Sequence, residues 1–164
     1  MFSQLLQSLQ SDHQKRVALF AYKMGYVPPE EPIHCLSENT RLLLAKLILE
    51  ETLELLMDGL KVEVVATPEC DGNDQQFGIR VLEDQEIDPI EVIDGVCDVR
   101  FVATKILCVM GIPDEPFQAE VDTNNLMKFA KGHYYNDHGK LKKPYDHPEP
   151  NIRKILESLV DNFE

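Results

Sequence analysis

The chain has 164 residues, 43% of them hydrophobic, and a formal net charge of -13. That length suits one domain, residues 1–164, with a core of its own. The charge argues against a nucleic-acid partner or an anionic-membrane partner, and an enzyme for anionic substrates would need cations to offset repulsion.

In chain order, residues 3–24 read as one helix with apolar positions at Leu5, Leu6, Leu9, Val17, Phe20 and Met24. Gly25 and the Pro-rich VPPEEP that follows it end the helix. His13 reads as a solvated surface histidine, with contact to a nucleotide base or phosphate as the sharper alternative. Ser37, Asn39 and Thr40 are N-cap candidates for a central helix that includes LLLAKLILEETLELLMDGL (42–60), and Gly59 is its expected stop. Two β-prone runs, KVEVVA (61–66) and FGIRVL (77–82), flank an Asp71-Gly72 turn signal and predict a hairpin at about 61–82. No other β-structure is expected.

Asp88-Pro89 opens a second long helix, PIEVIDGVCDVRFVATKILCVMG, closed by Gly111. Ile112-Pro113 turns the chain into a third helical segment at 116–130, along which Glu120, Asn124 and Lys128 recur at every fourth position. Residues 132–150 are irregular and the most basic part of an acidic chain, either a solvated loop or a lid bringing cations to a polyphosphate. Residues 152–164 predict a short amphipathic helix that packs on the other helices or on a partner subunit. The fold class is therefore mainly α, with four to five helices and one small β-hairpin. The four cysteines form no CxxC pair, the N-terminus has no signal-peptide profile, and no apolar run is long enough to span a bilayer. Together these predict a reduced, cytoplasmic protein that does not enter membranes.

The chemistry concentrates on two of these helices. In the central one, Glu50, Glu51 and Glu54 interrupt an almost unbroken run of Leu and Ile. At about 100° per residue, Glu50 and Glu54 are separated by roughly 40° and Glu51 and Glu54 by roughly 60°, so all three share one edge. A helix that is apolar nearly all round is normally buried, and carboxylates are rarely buried unless paired or bound to metal. Lys46 is the only cation nearby. A solvated acidic stripe fits this segment as well, so a second acidic helix is what distinguishes the readings.

Asp94 and Asp98 supply it, four residues apart within IEVIDGVCDVRFV. Asp98 lies among apolar neighbours where a solvated residue is not expected. Gly95 between them costs about 1 kcal/mol relative to Ala in a helix, a cost that close approach of another backbone or of a ligand would explain. Five carboxylates on two helices suit a hard divalent cation such as Mg²⁺, with Mn²⁺ as substitute. The helices carry no His or Cys spacing for zinc and no Glu-x-x-His pair for a di-iron site. Bound metals would bridge phosphate oxygens and activate water, with a free carboxylate as general base. The competing reading is a solvated acidic face or a purely stabilising cation site.

LILEETLELL followed by DGVCDVRFV resembles the all-α nucleoside triphosphate pyrophosphohydrolases, the MazG-like and phosphoribosyl-ATP pyrophosphohydrolase-like superfamily. RVALFAYKMGYVPPEEP is similar to that family's first helix and Pro-rich turn. PFQAEVDTNNLMKFAKG with GKLKKPYDHPEPNI is similar to its third helical motif and closing tail. The match covers most of residues 10–152. The resemblance implies a helical bundle assembling as a homodimer or homotetramer, and cleavage of the α–β phosphate bond of a nucleoside triphosphate to a monophosphate and pyrophosphate. It further implies that Glu50, Glu51, Glu54, Asp94 and Asp98 hold Mg²⁺, with Glu50 or Glu51 orienting the attacking water. By the same resemblance Asn125 and Lys128 contact substrate phosphate or sugar, and Lys140 and Lys143 lie in the closing tail. The second acidic helix departs from the family's ExxD spacing, which leaves Glu91 as an open candidate. Phosphoribosyl-ATP hydrolysis in histidine synthesis is the related alternative. A non-catalytic helical oligomerisation protein with a vestigial metal site is the alternative from another class.

Overall fold

Ser11 divides the N-terminal segment in two. The computed structural model describes residues 4–27, 29, 32–33, 35–65, 78–129, 132–136 and 139–159. Its helices are α1 (Gln4–Ser8), α2 (Asp12–Lys23), α3 (Glu38–Glu54), α4 (Pro89–Met110), α5 (Glu115–Met127) and α6 (Ile152–Leu159). The strands are β1 (Val62–Val65), β2 (Gly78–Val81), β3 (Tyr134–Tyr135) and β4 (Leu141–Lys142), and a π-helical turn, Leu55–Gly59, extends α3. The fold is mainly α, as the sequence predicts. Contacts divide the chain into two compact units, Met1–His34 with Leu107–Glu164, and Cys35–Ile106.

In the first unit, α1 and α2 replace the single helix expected over 3–24. Ser11 is extended (φ -63°, ψ 159°), and its hydroxyl accepts a hydrogen bond from the Gln14 amide at 3.0 Å. The Ser-x-x-Gln spacing is that of a capping box and marks the break. Ser11 also donates its N–H and its hydroxyl to the Asp114 carboxylate, at 2.7 and 2.5 Å. Beside it the fully buried Gln14 donates Nε2–H to the Ile112 carbonyl at 2.7 Å and accepts from the Asp114 amide at 2.9 Å. One side chain thus satisfies two backbone groups of the α4–α5 turn, as burial of polar groups requires. Leu6, Val17, Ala21, Cys108, Val109 and Pro113 form the core around it. Desolvation pushes the Cys108 thiol up to about 12, so this cysteine packs as an inert apolar group.

His13 is half-buried rather than solvated, and its Nε2 is enclosed without a hydrogen-bond partner among the described residues. Further along this unit, β3 and β4 form a second antiparallel ladder in a stretch expected to be irregular. Asn136 closes its turn by donating to the Lys140 carbonyl (3.0 Å) and accepting the Lys140 amide on Oδ1 (2.8 Å), and Gly139 adopts φ +72°. Two-residue strands are too short to carry a period-2 signal. The amphipathic helix expected over 152–164 is α6, seen here over Ile152–Leu159 and lying against α5.

In the second unit, the Ser37 hydroxyl accepts the Thr40 amide at 3.1 Å and starts α3, as the cap pattern predicts. The expected hairpin pairs Val62 with Val81 and Val64 with Ile79; its Asp71-Gly72 turn lies outside the described residues. Gly59 does not act as a left-handed stop; that conformation falls on Lys61 (φ 52°). What Gly59 provides is proximity, since a Cβ there would lie 3.1 Å from the Val92 Cα. Asp88 caps α4 through Oδ1, which accepts the Ile90 amide at 2.9 Å, and Pro89 takes the first helical position.

The central helix is far less buried than its composition predicts. Leu44 is the one buried residue of α3, while Leu42, Leu43 and Leu49 are more than half exposed. On α4, Ile90, Ile93 and Val96 are likewise open, and Asp98 is exposed rather than enclosed. Burial expected from an all-round apolar helix presupposes neighbours on every side, and the described residues of this unit do not supply them.

Candidate functional site

The acidic residues of α3 and α4 lie within electrostatic reach of one another in the second unit. Glu51 is half-buried, and its carboxyl is raised above its ordinary value, first by desolvation and then by the negative charges of Asp98, Glu54, Glu50 and Asp94. The other four carboxylates singled out by sequence therefore all act on Glu51. Glu50, Glu54, Asp94 and Asp98 are exposed around it. Their convergence has a local cause. Glu51 is one turn before Leu55, Gly95 is one turn before Asp98, and a Cβ at Gly95 would lie 3.0 Å from the Leu55 Cα. The close approach expected of Gly95 is thus made by Leu55, and it draws together the helix faces that carry the acids.

Among the described residues one cation pairs with the cluster: Lys46 Nζ lies 3.6 Å from Glu50 Oε1, an exposed i,i+4 pair of small energetic weight. The cluster is not closed into a chelate. Among the described residues, no three His, Cys, Asp or Glu side chains are gathered closely enough to hold a metal ion as they stand. In chemistry the donor set fits a hard divalent cation: oxygen ligands only, with charge in excess of what local lysines cancel. Glu91, the open candidate, is exposed and does not contribute to the raised Glu51 carboxyl.

The other residues singled out by sequence gather in the first unit. Asn125, Lys128, Lys140 and Lys143 line one cavity of about 340 Å³, together with Asn124, Lys142 and Glu149. The end of α5 supplies the asparagines and Lys128, and the short β3–β4 ladder brings the other lysines to them. Lys128 Nζ bonds Asn125 Oδ1 at 2.5 Å. Lys143 pairs with Glu149 and, with His147 and Lys128 adding smaller effects, holds the Glu149 carboxyl below its usual range. A carboxylate is already seated among these ammonium groups, so the cleft has the charge pattern to take an anion.

Three polar members of this cleft were not singled out as site residues by sequence reasoning. Lys142 lies between Lys140 and Lys143 in sequence, and only the β4 ladder places it in the wall. Glu149 carries no local signal. Asn124 was noted for its place in the Glu120-Asn124-Lys128 row, and that row proves to face the 147–151 segment. Glu120 Oε1 accepts the Asn151 amide at 2.8 Å, while the buried Asn124 bonds the Pro148 carbonyl at 2.8 Å and His147 at 3.0 Å. Cys35 and Cys97 are free and exposed, Cys108 is free and buried, and Cys70 lies outside the described residues. Among the described residues no helix is long and apolar enough to cross a membrane. Comparison with protein-family models and with curated protein sequences finds no match to this chain.

Proposed function

We propose that this chain is a nucleoside triphosphate pyrophosphohydrolase dependent on Mg²⁺, or on Mn²⁺ in its place, that releases a nucleoside monophosphate and pyrophosphate. The observation that carries the reading is Glu51, a desolvated carboxyl raised by four other carboxylates from two helices. A protein gains nothing in stability from that arrangement without a counter-charge, and perturbed carboxyls of this kind concentrate at functional sites. Glu50, Glu51, Glu54, Asp94 and Asp98 would hold the cation, which when bound supplies Lewis-acid stabilisation of phosphate oxygens and lowers the pKa of a bound water. Glu50 or Glu51 orients the attacking water and takes its proton. Within the first unit, Asn125, Lys128, Lys140 and Lys143 would offer hydrogen-bond donors and positive charge to phosphate oxygens.

A second copy of the chain belongs to the same reading. Leu42, Leu43 and Leu49 of α3, with Ile90, Ile93 and Val96 of α4, are each at least half exposed. Monomers rarely leave that much apolar surface to water, so a homodimer or homotetramer covers it. Light scattering coupled to size-exclusion chromatography reads this directly.

The activity is tested by following pyrophosphate release from a panel of nucleoside triphosphates with Mg²⁺. Turnover is expected for at least one nucleotide and is abolished by EDTA. Glu51→Gln and Asp98→Asn lower it by about 10²–10⁴-fold with helical content unchanged. Absence of pyrophosphate release from every nucleotide by folded protein, with no Mg²⁺ binding by calorimetry, would sink the proposal.

A further inference from the structure

We propose that a second cavity of the first unit is a subsite for a guanine base; this rests on the nucleotide reading above and names its base. The cavity measures about 570 Å³ and is lined by Leu126, Met127, Phe129 and Pro144 with the polar pair Asp146 and His147. That volume lies within the range of about 300–1,000 Å³ typical of small-molecule sites. The walls are mostly apolar, and Phe129 leaves 56% of its surface open. An open aromatic ring beside leucine, methionine and proline is suited to stack a flat heterocycle.

The polar atoms decide which heterocycle. Asn124 Nδ2 donates to the Pro148 carbonyl at 2.8 Å, which turns its Oδ1 toward His147 Nε2 at 3.0 Å. An amide oxygen only accepts, so Nε2 carries the hydrogen and the His147 ring is held in place by Asn124. The Asp146 carboxylate is exposed and, when ionised, also only accepts. The Asp146 carboxylate therefore presents this cavity's acceptors to a ligand.

Among the common bases, guanine alone places two donors side by side, N1–H and the 2-amino group, at the spacing of a carboxylate's two oxygens. Adenine and cytosine set a ring-nitrogen lone pair beside their amino group and would meet Asp146 with repulsion. Uracil and thymine enclose a single N–H between two carbonyls. Asn124, which orients His147, also lines the lysine cleft. One buried residue thus joins an aromatic cavity to a cationic one, the pairing that a nucleotide's base and phosphates require.

Calorimetry on the full chain in EDTA, with GMP, IMP and AMP as probes, tests the assignment apart from metal and turnover. GMP is expected to bind about tenfold or more tightly than IMP or AMP. Asp146→Asn erases this preference while leaving the affinity for inorganic tripolyphosphate unchanged, and Phe129→Ala weakens GMP about tenfold. IMP lacks only the 2-amino donor, so its comparison with GMP on the unaltered protein is independent of any folding defect in a variant. No binding of GMP, equal binding of GMP and IMP, or a preference that survives Asp146→Asn overturns the subsite. Selective GMP binding without pyrophosphate release would uphold the subsite and sink only the hydrolase reading.

Discussion

Gly95→Ala tests the contact that brings the acidic faces together, and two effects of opposite sign compete there. In an exposed helix, replacing Gly by Ala stabilises by about 1 kcal/mol, because alanine loses less backbone freedom on folding. At position 95 the added Cβ would lie 3.0 Å from both Cα and Cβ of Leu55 and 3.2 Å from its Cδ1. Of these atoms only Cδ1 can swing aside; Cα belongs to the backbone of the π-helical turn. Relief requires the turn and α4 to separate, and overpacking of this kind costs about 1–3 kcal/mol. The clash outweighs the propensity gain, leaving a net loss near 1 kcal/mol, or a fall of about 2–4 °C in Tm for a chain of this size. Thermal and urea unfolding at fixed protein concentration read the difference. Because Leu55 and Gly95 each stand one turn from Glu51 and Asp98 respectively, Mg²⁺ binding should weaken in the same variant. A Gly95→Ala protein stabilised by about 1 kcal/mol, with Mg²⁺ affinity unchanged, would refute the packing argument and return Gly95 to an ordinary exposed helix position.

The raised Glu51 carboxyl has a pH signature. The folded chain keeps a proton that the unfolded chain releases near the ordinary value of 4.5, so this stabilising contribution is complete below that pH and lost as pH rises through the folded value. In EDTA, stability should fall on that rise, Glu51→Gln should flatten the fall, and wild-type and variant curves that stay parallel would contradict it. Lys128→Ala should weaken tripolyphosphate binding about tenfold and make it less sensitive to salt, measured by calorimetry without metal. Gln14→Leu leaves the Ile112 carbonyl and the Asp114 amide buried and unpaired, and should cost about 2–5 kcal/mol in urea unfolding while pyrophosphate release per folded molecule is retained.

Much of the local structure was legible in the residues. Ser37, Asp88-Pro89 and Gly111 mark helix boundaries because caps and stops act over one turn, within reach of a sequence pattern. The β1–β2 hairpin was visible from its valines and turn residues, and the EExxE and DxxxD groups were visible as carboxylates on single helix faces. The break at Ser11 was also written locally, in a serine N-cap hidden inside a longer helical period.

Other features depend on residues remote in the chain, and only the tertiary structure decided them. Helical spacing places Glu51 on a face but cannot say what faces it; the Leu55–Gly95 approach does, and with it the raised carboxyl. Gln14 reads as one more polar helix residue until Ile112 and Asp114, about a hundred positions away, are seen to need its amide. The lysine cleft exists because a two-residue ladder folds 140–143 back toward α5, a pairing too short to leave a periodic trace. Burial misled for the same reason. Leu42, Leu43 and Leu49 are apolar by sequence, but whether they meet protein or water depends on neighbours that helix periodicity does not specify.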